Sequence, residues 1–251
     1  MKIKTLDITK KNFNKDLLNH LSLKLENSKA IESSVTKILD DIKKNKDKAL
    51  IKLANKYDKT AYKKISESVV SKSEIAEAYN HISKQALSNL KKAIINIKRF
   101  SKKQILKSWS MKVNGSTLGE KVTAIDRVGI YVPGGKACYP STVLMNAIPA
   151  KTAGVKDITM VCPPIGGKLD PLVLVAADLC KVDKIYKIGG AHAIGALAYG
   201  TETIKKVYKI VGPGNIYVAT AKRKVFGLVG IDSFAGPSEI LIIADNDTSS
   251  E

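Results

Sequence analysis

Three short glycine-bearing turns hold the residues with chemistry to offer. They are Pro133–Gly135 in VGIYVPGG, Gly189–Gly190 in KIGGAHAIGAL and Gly212–Gly214 in KIVGPGNIYVA. Each ends a β-branched run and opens an apolar helical pattern. Backbone N–H groups at a helix N-terminus attract phosphate, and glycine lets a ligand approach the chain closely. One such turn is an ordinary strand-to-helix connection. Three in succession along one sheet edge point to a ligand, although none has the GxGxxG spacing of the usual dinucleotide fingerprint.

The side chains around these turns fit the same chemistry. Tyr131, just before PGG, is placed to pack its ring on a flat cofactor with its hydroxyl free. Asn215 follows Gly-Pro-Gly as a helix N-cap, and its amide could also hold a ribose hydroxyl or a carboxamide. His192 lies in the first turn of a helix, where the helix dipole disfavours the imidazolium and leaves a neutral, hydrogen-bonding ring. A metal role would need more ligands, and there is no HxxxH or carboxylate cluster. Cys138 reads as a small thiol, since no His or Asn partner can be assigned to it. His81, on a helical stretch, reads as structural or solvated. Ser238, in the turn AGPSEIL, could touch a substrate, whereas alternation sends Glu239 to the other side.

The elements that carry these residues follow from periodicity. The start, KIKTLDI, is strand-like, and a helical pattern follows around Leu17, Leu18 and Leu21. Apolar spacing from Ile31 to Tyr57 predicts two helices separated at the polar KKNKDK segment, 43–48. From Ser71, with Ser71 and Glu74 at capping-box spacing, one apolar stripe is satisfied either by one long helix or by two broken near Ser83. Asn114–Gly115 predicts a hairpin that leads into the strand GIYV. From Gly129 to Gly227, four strand–helix units imply βαβ crossovers and a parallel sheet. Gly154 reads as a helix-ending glycine, and Pro149 as a residue that kinks or shortens its helix. A last apolar run, Glu239–Asp245, is a strand and, left without a sheet partner, an aggregation hazard. The expected fold is α/β: a Rossmann-like parallel sheet domain at 129–237, preceded by a mainly helical region with a hairpin at 1–128. The start of a second α/β lobe is expected at 238–251.

Composition narrows the class. The chain has 251 residues, 44% of them hydrophobic, which suffices for a sizeable core. Its 42 Lys+Arg against 23 Asp+Glu give a net charge of +19. Arginine occurs only at 99, 127 and 223, and aromatics make up only 6%. Nucleic-acid readers lean on Arg and on stacking aromatics, so abundant lysine on helix faces does not make this one. Cys138, Cys162 and Cys180 have no CxxC spacing, which fits a reducing cytoplasm. No apolar run approaches the ~18 residues of a membrane span. The expectation is a cytoplasmic chain with neither nucleic acid nor membrane as partner.

The stretches VGIYVPGGKACYPSTVLMNAIPAKTAGV, IGGAHAIGALAYGTETI, KIVGPGNIYVATAKR and GIDSFAGPSEILIIAD, in that order, resemble histidinol dehydrogenase. The resemblance is dense from about 125 to 245. It implies an NAD- and zinc-dependent, homodimeric oxidoreductase that converts L-histidinol through the aldehyde to L-histidine, the last step of histidine biosynthesis. By resemblance Tyr131, Asn215 and His192 fall on NAD-contacting positions and Ser238 on a substrate-contacting one. The family typically has Gln where His192 stands. The family's zinc ligands and Glu-His acid/base pair match positions beyond Glu251, so no catalytic or metal-ligating residue is expected in this chain. The expectation is an N-terminal portion, inactive alone. The alternative is an NAD- or nucleotide-binding module, or a split-enzyme subunit without catalysis.

Overall fold

A computed structural model describes residues 5–22, 28–134, 138–233, 242, 244, 245 and 247. A parallel sheet is the frame. It contains β3 (Arg127–Tyr131), β4 (Asp157–Val161), β5 (Lys184–Tyr186), β6 (Lys209–Val211) and β7 (Gly230–Ile231), in the order β5-β4-β3-β6-β7. All four pairings are parallel. The crossover helices are α5 (Pro140–Thr152), α6 (Pro171–Leu179), α7 (Gly190–Tyr199) and α8 (Ile216–Val225). The four expected strand–helix units are present. The two-residue strand β7 is an addition that its short run of sequence did not suggest.

Alternation along the strands sorts the core into two halves. Val128, Ile130, Val132, Ile158 and Met160 pack with α5 and α6 on one face. Tyr131, Val161 and Ile210 pack with α7 and α8 on the other. The N-terminal helices complete both layers. α2 (Ser28–Tyr57) packs on α7 and α8, while α3 (Lys72–Asn80) lies on α6 and α4 (Lys84–Lys103) on α5. At the β5 edge, Val70 N–H donates to the Ile185 carbonyl (2.9 Å) and Lys187 N–H to the Ser68 carbonyl (2.7 Å). The segment after the 3-10 turn Ile65–Ser68 thereby covers edge groups that would otherwise be open to another strand.

The helix limits follow local chemistry. α1 (Phe13–Ser22) covers the first helical pattern. α2 breaks at Lys46, whose φ of 47° and ψ of −127° are non-helical, inside the polar segment expected to divide two helices. Of the two readings at Ser83, the break is the one observed. Ser71 caps α3 in a full capping box with Glu74, and Ser83 caps α4 by accepting the Ala86 N–H. The hairpin β1 (Trp109–Val113) and β2 (Ser116–Glu120) turns at Asn114 and Gly115, both with positive φ. Gly154, at φ +93°, follows the end of α5. Pro149 does not end α5, which runs on to Thr152, so the expected shortening does not occur. Residues 5–7 of the strand-like start carry no strand, and most of Glu239–Asp245 lies outside the described residues.

Candidate functional site

Counted from β3, the sheet order is 3-2-1-4-5. It reverses between β3 and β6, and the crevice at the strands' C-terminal ends beside such a reversal is where open α/β sheets hold ligands. A cavity of about 550 Å³ lies there. Its walls are Tyr131 and Gly134 after β3, Gly190 and His192 at the start of α7, and Asn215 and Tyr217 at the start of α8. Tyr57 and Asp58, at the end of α2, close the remaining side. The three glycine turns therefore do converge, and Tyr131, His192 and Asn215 line one cavity.

Each of the three is fixed by a neighbour. Tyr131 is buried, and its hydroxyl accepts the Gly190 N–H at 3.1 Å. The sequence reading left this hydroxyl free; in the structure its oxygen is engaged as an acceptor, because the start of α7 lies next to it. Burial, partly offset by the Gly190 N–H and reinforced by the Asp58 carboxylate, pushes the phenol well above its ordinary value, so it keeps its proton. Asn215 is the N-cap of α8. Its Oδ1 accepts the N–H groups of Tyr217 (3.0 Å) and Val218 (3.1 Å), which leaves the amide NH₂ as a donor at the cavity.

His192 is 1% exposed, and its Nε2 lies 2.9 Å from Asp58 Oδ2. The same carboxylate oxygen accepts the Gly189 N–H at 3.0 Å. The Tyr57 ring stacks on the imidazole at a centroid distance of 6.0 Å. One ring nitrogen of His192 is therefore already engaged by a residue 134 positions earlier in the chain.

Beneath the third turn lies a polar lock. Gly212 has φ +111°, and a Cβ there would sit 2.1 Å from the Tyr131 carbonyl oxygen, so only glycine fits. Its N–H donates to Asp232 Oδ2 (2.7 Å), and its carbonyl accepts from Lys222 Nζ (3.0 Å). Lys222, almost fully buried, also pairs with Asp232. Burial would raise the Asp232 pKa, but the hydrogen bonds from Lys222, Gly212 and Ser233 outweigh it and hold the carboxyl below its ordinary value.

A second cavity, about 300 Å³, adjoins the first across Gly134 and Pro163 and is lined by Cys138, Cys162 and Asp170. Burial, then Asp170, pushes the Cys138 thiol up to about 12. This favours the thiol over the reactive thiolate. His81 is exposed, 3.5 Å from an exposed Glu77, and solvated. Ser238, Glu239 and Gly135 lie outside the described residues. Among the described residues no group of three or more His, Cys, Asp or Glu could hold a metal ion, and no helix is long and apolar enough to cross a membrane.

The sequence model of the histidinol dehydrogenase family matches residues 22–251. The chain belongs to the histidinol dehydrogenase family. It is 48% identical over 250 residues to histidinol dehydrogenase of Nitrosomonas europaea, covering 99% of this chain and 58% of that protein. It is 53% identical over 222 residues to that of Clostridium acetobutylicum, covering 88% and 51% respectively. The crystal structure of histidinol dehydrogenase from Elizabethkingia anophelis superposes with a TM-score of 0.78 at 41% identity, over 83% of this chain and 48% of that one. The chain thus spans about half the length of the curated relatives it matches.

Asp58, Lys222 and Asp232 were not singled out from sequence. Asp58 sits in LANKYDKT, whose only local signal is a carboxylate just past a helix end. Lys222 was one basic residue among many in AKRK, and nothing local distinguishes a buried lysine from a solvated one.

Proposed function

We propose that this chain is the cofactor-binding part of an NAD-dependent histidinol dehydrogenase, an enzyme that oxidises L-histidinol through the aldehyde to L-histidine. One observation carries the reading. Tyr131, His192 and Asn215 line a single cavity at the order reversal of a parallel sheet. The cavity suits a dinucleotide: its floor is glycine backbone, Asn215 offers an amide donor, and Tyr131 supplies a protonated phenol. NAD would supply the hydride acceptor. The chain's own residues would seat and orient it.

Zinc, expected from the family, does not fit the described residues, because no suitable ligand cluster occurs among them. We therefore assign it no step here. Ser238 is read as a substrate contact, residues 129–237 as the cofactor domain and 238–251 as the return to the first lobe. A homodimer in the cytoplasm, with neither nucleic acid nor membrane as partner, completes the proposal.

Titration of the chain with NAD, followed by calorimetry, tests the site. Asn215→Ser keeps the capping oxygen but loses the amide donor, and Tyr131→Phe keeps the ring but loses the hydroxyl. Each variant should bind NAD about 3- to 10-fold more weakly than the parent, the worth of one hydrogen bond. Equal weak binding by all three chains rejects the site. A steep loss of nucleic-acid binding with salt, starting from tight binding, would instead favour a charge-driven partner.

A further inference from the structure

The cavity contains a buried acid–imidazole couple whose two halves stand 134 residues apart in the chain. Asp58 directly follows α2, and His192 lies in the first turn of α7. Their side chains are 6% and 1% exposed, and they meet at 2.9 Å. A carboxylate can only accept, so His192 Nε2 carries the proton toward Asp58. Asp58 Oδ2 is itself held by the Gly189 N–H, so the carboxylate cannot turn without breaking two contacts.

The other nitrogen lies on the Gly190 side of the ring. A Cβ on Gly190 would lie 3.2 Å from both His192 Cε1 and Nδ1, so glycine at 190 leaves that edge of the ring uncovered. Gly190 and His192 both line the cavity. His192 is the third residue of α7, where exposed N–H groups and the helix dipole disfavour a positive ring. The neutral ring with its proton on Nε2 leaves Nδ1 with a lone pair.

We infer that Asp58 is a positioning residue for the cofactor: by fixing the His192 proton on Nε2, it presents Nδ1 as an acceptor for a carboxamide N–H or ribose O–H of the nucleotide. The inference rests on the cofactor reading above. The groups facing His192 are Asp58, the Tyr57 ring with Lys56 on it, Tyr131 through Gly190, and Tyr217 across the cavity.

Two measurements decide the matter. The chain has three histidines, so ¹⁵N-histidine NMR can assign His192. The free protein should show the Nε2–H tautomer, and NAD should shift the Nδ1 resonance. NAD titration of the parent should show measurable binding. An amide can both donate and accept, so His192→Gln should retain that binding within about 3-fold. Asp58→Asn, if folded, should lose the fixed tautomer and bind NAD about 5-fold more weakly. Asp58→Asn that binds NAD as tightly as the parent, or an Nδ1–H tautomer in the free protein, overturns the inference while leaving the cofactor site standing. No NAD binding by the parent overturns both.

Discussion

At the scale of single residues, the turn at Gly212 is held by charge. Lys222 and Asp232 clamp its carbonyl and its N–H. Asp232 has a lowered pKa in the folded chain. A depressed carboxyl stabilises above its unfolded value of about 3.9, and that stability is lost as pH falls through the folded value. The parent should therefore lose stability more steeply than Asp232→Asn as the pH drops below about 4. At neutral pH Asp232→Asn should cost about 2 kcal/mol, less than the ~3–5 kcal/mol of a fully buried pair, because water reaches part of the Asp232 side chain. Denaturant melts at several pH values check both statements, and parallel acid profiles for the two chains would refute the first. The cap of Asn215 was legible because an N-cap acts within three residues. The Lys222–Asp232 clamp and the Asp58–His192 couple were not, because each joins elements that only the finished fold brings together.

At the scale of elements, periodicity identified the sheet, its helices and the hairpin because each repeats over several residues. It also placed a break within 43–48, and the break falls on Lys46. There the backbone adopts a conformation that glycine tolerates and lysine resists, a strain on the order of 1–3 kcal/mol. Lys46 returns part of that through its Nζ, which donates to the Gly200 carbonyl at 3.1 Å and ties α2 to the end of α7. Lys46→Gly should relieve the backbone and lose a partly exposed hydrogen bond worth about 1 kcal/mol. The net expectation is a stability gain of up to about 1 kcal/mol, or a Tm rise of ~2–4 °C. A Tm lowered by Lys46→Gly would show that the Gly200 contact outweighs the strain. Pro149 shows the limit of the same reading. A helix-breaking residue was tolerated because α5 is pinned between the sheet and α4, a context that no local pattern contains.

At the scale of the whole molecule, the two faces of the sheet differ in what they leave open. The α2, α7 and α8 side is closed around the candidate cavity. Elsewhere, Phe100 near the end of α4, Leu106, and Trp109, Met111 and Leu118 on the hairpin are each at least half exposed. Ile105 and Met145 add to this surface beside a cavity of about 530 Å³ lined by Leu106, Ile125 and Pro149. Large apolar side chains exposed in this number favour association or aggregation in water. The net charge of +19 opposes self-association at low salt, but its reach shrinks to ~8 Å at physiological ionic strength. The chain should therefore self-associate as salt is raised, contrary to a nucleic-acid complex, which salt dissolves. Light scattering at two salt concentrations should show the mass increase for the parent chain. Leu106→Ser with Met111→Ser should suppress that increase without altering NAD affinity, since neither residue lines the cavity of Tyr131 and His192. A parent that stays monomeric in high salt would show that the apolar surface is too broken to bind itself. A loss of NAD affinity in the double variant would show that the two faces are coupled through the sheet.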